Sequence, residues 1–160
     1  MELTSRTKAV EFRLAKPDDV DLWVPVFGPH YFHEANFHHF AELDISTGVD
    51  IIRQQIKTGA AVFILAYIED QPVGVISYTL ERVFTKRPIA YLNMIYVVPR
   101  CRRGALGRML LVHAMHLSQG DGACAFFATI PPDTRVGRRL CNMFRRGGFV
   151  PMAGSFMRRL

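Results

Sequence analysis

One segment decides the fold of this chain: Ile95-Tyr96-Val97-Val98-Pro99-Arg100-Cys101-Arg102-Arg103-Gly104-Ala105-Leu106-Gly107-Arg108-Met109-Leu110-Leu111. Its apolar start predicts a strand, its Arg- and Gly-rich middle predicts a tight turn, and its end has the spacing of an amphipathic helix. A strand that passes through such a turn into a helix places free backbone N–H groups and the positive end of the helix dipole at one spot. Neighbouring guanidinium groups add to the positive charge. The segment therefore predicts a site for a phosphate or pyrophosphate.

The turn resembles the acyl-CoA-binding signature of the GNAT superfamily of N-acetyltransferases. That signature, Arg/Gln-x-x-Gly/Ala-x-Gly, is matched by Arg102-Arg103-Gly104-Ala105-Leu106-Gly107. The preceding strand keeps the family register at Ile95, Val97 and Pro99, and the later Phe144-Arg145-Arg146-Gly147-Gly148-Phe149 resembles the family's Tyr-x-x-x-Gly-Phe element. The plainer alternative is a helix start with Gly for the bend and Arg for solubility. The joint matches favour phosphate binding over that alternative.

This resemblance implies that acetyl-CoA is the co-substrate and that its pantetheine arm enters between two strands that part in this family. Those strands correspond to Ile89–Val98 and Ala123–Ile130. The resemblance also implies that an acceptor amine attacks the thioester directly in a ternary complex, with a strand N–H polarising the carbonyl. The residues implied in donor binding are Ile95, Tyr96, Val97, Arg102, Arg103, Gly104, Ala105, Leu106, Gly107 and Arg108.

The chain departs from the family at its usual catalytic positions. Phe144 stands where a tyrosine commonly protonates the CoA thiolate, and Gly137 stands where an asparagine is often found. Tyr91 occupies the strand position that carries a glutamate base in some members. Three interpretations follow: the thiol leaves without a strong acid, another group donates the proton, or the protein binds acyl-CoA but transfers poorly. The last would make it an acyl-CoA sensor or interaction module.

The candidate catalytic residues are Tyr91, Asn93 and Tyr96, with Cys141 as a further proton donor. Period-two alternation predicts that Tyr91, Asn93 and Ile95 share one strand face and line the cleft. The alternative is that Tyr91 and Asn93 only satisfy neighbouring groups on a half-buried strand, and the sequence does not decide between the two.

The aromatic and histidine-rich segment from residue 30 to residue 40 lies where the family builds its acceptor pocket. His33, Glu34 and His38 are the predicted pocket residues, because a carboxylate attracts a cationic amine and imidazoles relay protons near neutral pH. The alternative is that the aromatic residues pack the helices while the histidines remain at the surface. No third ligand stands at useful spacing from the histidine pairs, so no metal site is expected.

Charge is unevenly distributed along the 160 residues, whose net charge is +6. From Val97 onward, eleven arginines face only Asp121 and Asp133, while the first part of the chain is net acidic. A basic half suits an anionic co-substrate, and nucleic-acid binding ranks lower because no helix-turn-helix signature accompanies it. The sequence has an odd number of cysteines, no signal-peptide pattern and no apolar run long enough to cross a membrane. These features predict a cytoplasmic protein without a membrane partner. A homodimer is possible by family resemblance.

The whole chain, residues 1–160, is predicted to form a single α/β (α+β) domain of the GNAT type. Its elements read β-α-α-β-β-β-α-β-α-β-β, which predicts a mixed, mostly antiparallel sheet of six or seven strands flanked by about four helices. The first helix is expected to end near Phe27, before Gly28-Pro29. The fourth is expected over Thr134–Arg146, with Asp133 as its cap and Gly147-Gly148 as its stop.

Overall fold

In the described part of the chain, seven strands form one sheet and four α-helices cover its two faces. The structure, a computed structural model, describes residues 9–39, 41–82, 84–129, 135–152 and 155–160. The elements in chain order are β1 (Glu11–Leu14), α1 (Val20–Glu34), α2 (Ile45–Thr58), β2 (Val62–Ile68), β3 (Gln71–Glu81), β4 (Ile89–Val97), α3 (Leu106–Gly120), β5 (Ala125–Thr129), α4 (Arg135–Arg146), β6 (Val150–Met152) and β7 (Ser155–Arg159). The predicted element order and fold class are confirmed. The predicted cap of α4, Asp133, lies outside the described residues.

The strands lie in the order β1-β2-β3-β4-β5-β7-β6. Every neighbouring pair is antiparallel except β4 and β5, which run parallel. Helix α3 makes the crossover between these two parallel strands, as a parallel connection requires. The phosphate-binding turn predicted from the sequence therefore lies between the end of β4 and the start of this crossover helix.

Two apolar clusters fill the two faces of the sheet. One cluster packs α3 and α4 against the sheet through Leu110, Phe126 and Phe144. The other packs α1 and α2 on the opposite face, around Trp23 and Phe27. Because both faces are covered, β2 and β3 are apolar on both sides, as expected for central strands.

The predicted end of the first helix at Phe27 is wrong, because α1 continues through Gly28 and Pro29 to Glu34. A proline inside a helix removes one backbone hydrogen bond and costs roughly 3 kcal/mol. Packing of the later residues offsets this cost, since Tyr31 also lies against the α1–α2 cluster. Gly28 permits close approach of the two helices: a Cβ there would stand 3.2 Å from Ile45 Cδ1.

Gly74 and Gly48 provide a matched test of the packing between β3, β4 and α3. A Cβ at Gly74 would stand 3.0 Å from both the Tyr96 carbonyl oxygen and Leu110 Cδ1, whereas a Cβ at Gly48 in α2 meets nothing within 4 Å. Gly74→Ala is expected to lower the free energy of unfolding by about 1–3 kcal/mol, because the strand backbone cannot yield easily. Gly48→Ala is expected to raise it by about 0.5–1 kcal/mol. Urea denaturation measures both, and an equal response at the two positions would contradict this account of the packing.

Candidate active site

A cleft of about 700 Å³ lies between the end of β4, the start of α3 and one face of α4. Its walls combine the exposed strand backbone, the glycine turn and several arginines. The lining residues are Glu34, Ile95, Tyr96, Val97, Arg102, Gly104, Ala105, Gly107, Arg108, Val136, Arg139, Leu140, Asn142, Met143 and Arg146. The volume of the cleft lies within the range of about 300–1,000 Å³ that is typical of pockets for small-molecule ligands and cofactors.

The cleft exists because β4 and β5 separate. They pair over only three positions, of which Tyr91 with Phe127 is the last. The Val98 N–H bonds to the Val73 carbonyl of β3, and successive N–H groups of a strand point to opposite sides. The N–H groups of Ile95 and Val97 therefore point into the opening. In the described strands, β5 offers them no partner, so a ligand that enters the gap meets open backbone donors.

A bulge at Asn93 changes which side chains face the cleft. Ser77 pairs with Met94 and Tyr78 pairs with Leu92, so Asn93 is an extra residue without a partner on β3. An extra residue reverses the alternation beyond it. Leu92 and Ile95 consequently lie against the same apolar cluster, whereas Met94 and Tyr96 lie against the other.

The prediction that Tyr91, Asn93 and Ile95 share one face is therefore wrong, because it assumed unbroken period two. Asn93 is exposed, and its side-chain oxygen stands 3.5 Å from Thr79 Oγ1. Its backbone carbonyl accepts a hydrogen bond from the Tyr31 hydroxyl at 3.4 Å. Tyr91 is half-buried and its ring packs 5.2 Å from that of Phe127. Neither Tyr91 nor Asn93 lines the cleft.

The start of α3 is open to an anion. Ala105 is its N-cap residue and makes no capping side-chain hydrogen bond, so the N–H groups of the first turn keep no intrahelical or capping partner. A Cβ at Gly104 would meet nothing within 4 Å, which leaves the backbone of the turn accessible. The dipole of the fifteen-residue helix adds partial positive charge at this point. These groups fit a diphosphate.

The structure brings most of the predicted donor-binding residues to one cleft. Ile95, Tyr96 and Val97 line it from β4, and Arg102, Gly104, Ala105, Gly107 and Arg108 line it from the turn and α3. Two predicted residues stand apart. The Arg103 side chain is exposed outside the cleft, and the Leu106 side chain is buried in the apolar core. Leu106 can contribute only its backbone N–H.

The second wall of the cleft comes from α4 and was missed by sequence reasoning. Arg139, Asn142 and Arg146 follow one another at helical spacing and line the cleft together with the apolar Val136 and Met143. The helical spacing of these residues, which starts at Val136, could have revealed this face. The resemblance to the family element instead pointed to Phe144, which lies on another face of α4. These arginines give the cleft the positive charge that a polyanionic donor requires.

Arg102 is held by an ion pair inside the cleft. Its guanidinium NH2 group donates to both carboxylate oxygens of Glu34, at 2.7 and 2.9 Å. Its Nε donates to the Val97 carbonyl oxygen at 2.6 Å, and its charged head lies 5.2 Å from the centre of the Tyr96 ring. Glu34 and Arg102 are both about three-quarters buried. One arginine of the turn thus connects β4 with the end of α1.

Tyr96 carries a buried hydroxyl without a hydrogen-bond partner among the described residues. The residue is only 4% exposed and lies between Phe27, His30 and Arg102. Burial raises the pKa of Tyr96, and this outweighs the opposing effect of the Arg102 guanidinium. The hydroxyl is therefore protonated at neutral pH. An unsatisfied buried donor beside a cleft is costly unless a ligand pairs with it.

Phe144 does not face the cleft. It is fully buried, with its ring 4.6 Å from Phe149 in an edge-on contact and 5.9 Å from Phe156 in a stacked one. Gly137 is buried as well. Cys141 packs against the apolar cluster and does not line the cleft. Of the residues named from the sequence as proton donors, only Tyr96 lines the cleft.

The predicted acceptor residues divide into two groups. Glu34 lines the cleft through its pair with Arg102. His33, in the last turn of α1, and His38, which follows the helix, are exposed, and their rings stack 4.3 Å apart. The pKa of His38 is lowered, first by desolvation and then by the charges of His39 and His33. His33 and His38 are therefore not cleft residues, and an acceptor role for them requires a ligand that extends outward.

Among the residues that the structure describes, no three His, Cys, Asp or Glu side chains cluster in a way that would hold a metal ion. Within the same ranges, none of the helices has the length and apolar character needed to cross a membrane.

A parted sheet, a helix start open to anions and an arginine-lined cleft together form a site with the length and positive charge to suit an extended polyanionic ligand. The sequence model described as the acetyltransferase (GNAT) family matches residues 22–149. The chain therefore belongs to the GNAT family of acetyltransferases, as the glycine turn indicated. No curated protein matches the chain significantly.

Solved structures share the fold. A Desulfovibrio desulfuricans protein assigned to the GNAT family superposes with a TM-score of 0.71 at 22% identity, over 95% of this chain and 98% of that one. A Clostridium acetobutylicum protein, assigned as an acetyltransferase and solved with acetyl-CoA, gives a TM-score of 0.72 at 14% identity over 91% and 92%. An aminoglycoside acetyltransferase from an uncultured soil metagenomic sample, in complex with sisomicin, gives 0.66 at 15% identity over 86% of both chains.

Proposed function

We propose that this protein transfers the acetyl group of acetyl-CoA to a primary amine by direct attack in a ternary complex. The observation that carries the proposal is the opening between β4 and β5, which leads from unpaired strand N–H groups to the open start of α3. An extended ligand would fit here if its anionic end lies at the start of α3 and its amide groups accept hydrogen bonds from the strand N–H groups. The donor residues given above would hold it mainly through backbone groups.

The reaction needs few protein groups. The amine nitrogen bonds to the thioester carbon, the C–S bond breaks, and the sulfur leaves as thiolate. An acceptor that arrives as an ammonium ion loses one proton to solvent before it can attack. The attacking nitrogen then loses a second proton and the thiolate gains one, so one proton is released overall. A strand N–H of Ile95 or Val97 polarises the carbonyl, and the Tyr96 hydroxyl supplies the proton to the thiolate. Tyr96 thereby takes the part that the family gives to a tyrosine at the position of Phe144.

The acceptor is a primary amine of a small molecule or of a protein. Aminoglycosides belong in the first panel, because one structural neighbour was solved with sisomicin. Glu34 is the cleft residue with the charge to attract a cationic amine. His33 and His38 lie further out and would meet only a large acceptor.

The proposal is tested by incubating the protein with acetyl-CoA and a panel of aminoglycosides, polyamines and peptides with free amines. Free CoA is separated chromatographically and the acetylated amine is identified by mass, because Cys101, Cys124 and Cys141 are partly exposed and would react with thiol reagents. We expect release of CoA with a matching acetylated product. Tight acetyl-CoA binding without any product across the panel would instead support the second candidate, an acyl-CoA sensor, which the buried Phe144 favours.

A further inference from the structure

The ion pair between Glu34 and Arg102 occupies a guanidinium that the anionic end of the donor would also contact. Arg102 belongs to the turn that faces the anionic end of the donor, yet its NH2 group already donates to both Glu34 oxygens. Its Nε also donates to the Val97 carbonyl, on the strand that faces the opening. The cleft of the free protein thus contains an arginine whose partners lie along the same walls that the donor would use.

Charge explains why this pair matters more than an exposed one. Both side chains are about three-quarters buried, so solvent screens their attraction only partly. Both carboxylate oxygens accept from the same guanidinium nitrogen, and hydrogen bonds between ionised partners are roughly twice as strong as neutral ones. A diphosphate offers Arg102 a similar fork of oxygens with more negative charge. The carboxylate and the diphosphate therefore compete for the same donor groups.

We infer that Glu34 is a positioning residue that competes with the donor's diphosphate for Arg102 and so sets the affinity for acetyl-CoA. This inference rests on the proposed function. In the free protein Glu34 holds Arg102 over the Tyr96 ring and onto the Val97 carbonyl. When the donor binds, Arg102 turns to the diphosphate, and both the Val97 carbonyl and the Glu34 carboxylate become available within the cleft.

The first test is a double-mutant cycle on acetyl-CoA affinity, measured by calorimetry with wild type, Glu34→Gln, Arg102→Gln and the double variant. Couplings between sites commonly amount to about 5–150-fold. Glu34→Gln is therefore expected to lower the Kd by at least about fivefold when Arg102 is present, and to have little effect when Arg102 is replaced. Glu42→Gln is the charge-matched control, because Glu42 follows α1 and makes no ion pair with Arg102.

Two results would overturn the inference. One is an unchanged Kd in Glu34→Gln. The other is an equal tightening in the Arg102→Gln background, which would show a general field effect rather than competition. If wild type binds acetyl-CoA and acetylates an amine while either result holds, the inference alone fails. If wild type does not bind acetyl-CoA at all, the proposed function fails with it.

A second measurement uses wild-type protein, so it does not depend on how the variants fold. The Arg102 Nε–Hε resonance reports directly on its bond to the Val97 carbonyl. Titration with inorganic pyrophosphate is expected to shift this resonance progressively until saturation. A resonance that stays in place while the amides of the first turn of α3 respond would show that Arg102 remains with Glu34, and would contradict the inference.

Discussion

Gly107→Phe is expected to raise the Kd for acetyl-CoA by about 5- to 140-fold while the protein stays folded. Gly107 lies in the first turn of α3 and lines the cleft. A Cβ at this position would stand 3.7 Å from Met143 Sδ and 3.9 Å from Val97 Cγ2, so only the first carbon fits without displacing a wall. A phenylalanine ring must extend into the space for the donor. Overfilling of a packed site costs about 1–3 kcal/mol, and 1.4 kcal/mol corresponds to a tenfold change in Kd.

Gly107→Ala is the matched control. Its methyl group reaches only ordinary van der Waals distances, so the Kd should stay within about threefold of wild type. Thermal unfolding of both variants separates loss of binding from loss of structure. If Gly107→Phe binds acetyl-CoA normally, the diphosphate does not lie at the start of α3.

Tyr96→Phe is expected to lower kcat by about 10²–10⁴-fold, the range of general acid catalysis, and to raise the free energy of unfolding. Activity falls while stability rises, because the hydroxyl donates a proton in the reaction but destabilises the folded protein when no ligand is bound. It is buried without a partner among the described residues, and an unsatisfied buried polar group costs about 1–3 kcal/mol. The ring contacts with Phe27 and Arg102 remain in the variant.

Tyr78→Phe is the matched control for this experiment. Tyr78 is equally buried, but its hydroxyl donates to Asp121 Oδ2 at 3.0 Å and lies outside the cleft. Its removal should destabilise the protein by about 1 kcal/mol and leave kcat unchanged. Calorimetry should show the same acetyl-CoA affinity in both variants. An unaltered kcat in Tyr96→Phe would exclude Tyr96 as the proton donor.

The sequence was most informative where local chemistry alone determines the conformation. The glycine turn, the end of α4 before Gly147-Gly148 and the order of elements followed from turn residues and apolar periods. The sequence also predicted the parting of β4 and β5, although only through family resemblance. For the turn, the helix end and the order of elements, neighbours in the chain carry the information.

The errors occurred where tertiary packing decides. Gly28-Pro29 is a strong local stop signal, yet α1 continues because its later turns pack against the sheet. The bulge at Asn93 depends on how β3 pairs with β4, and the sequence of β4 alone contains no residue that predicts it. Arg139 and Arg146 enter the site only because α4 lies across the opening. A sequence pattern describes an element, but not which face meets another element.

The two prolines within α1 have a consequence for local stability. Proline lacks an N–H, so the carbonyls of Asp21 and Pro25 have no helical donor four residues later. Hydrogen bonding along this helix is therefore weakest in the turns that precede its last residues. Segments with fewer backbone hydrogen bonds open at lower free energy than the rest of the fold. The last turns of α1, which carry Glu34, are therefore expected to open at a lower free energy than the sheet.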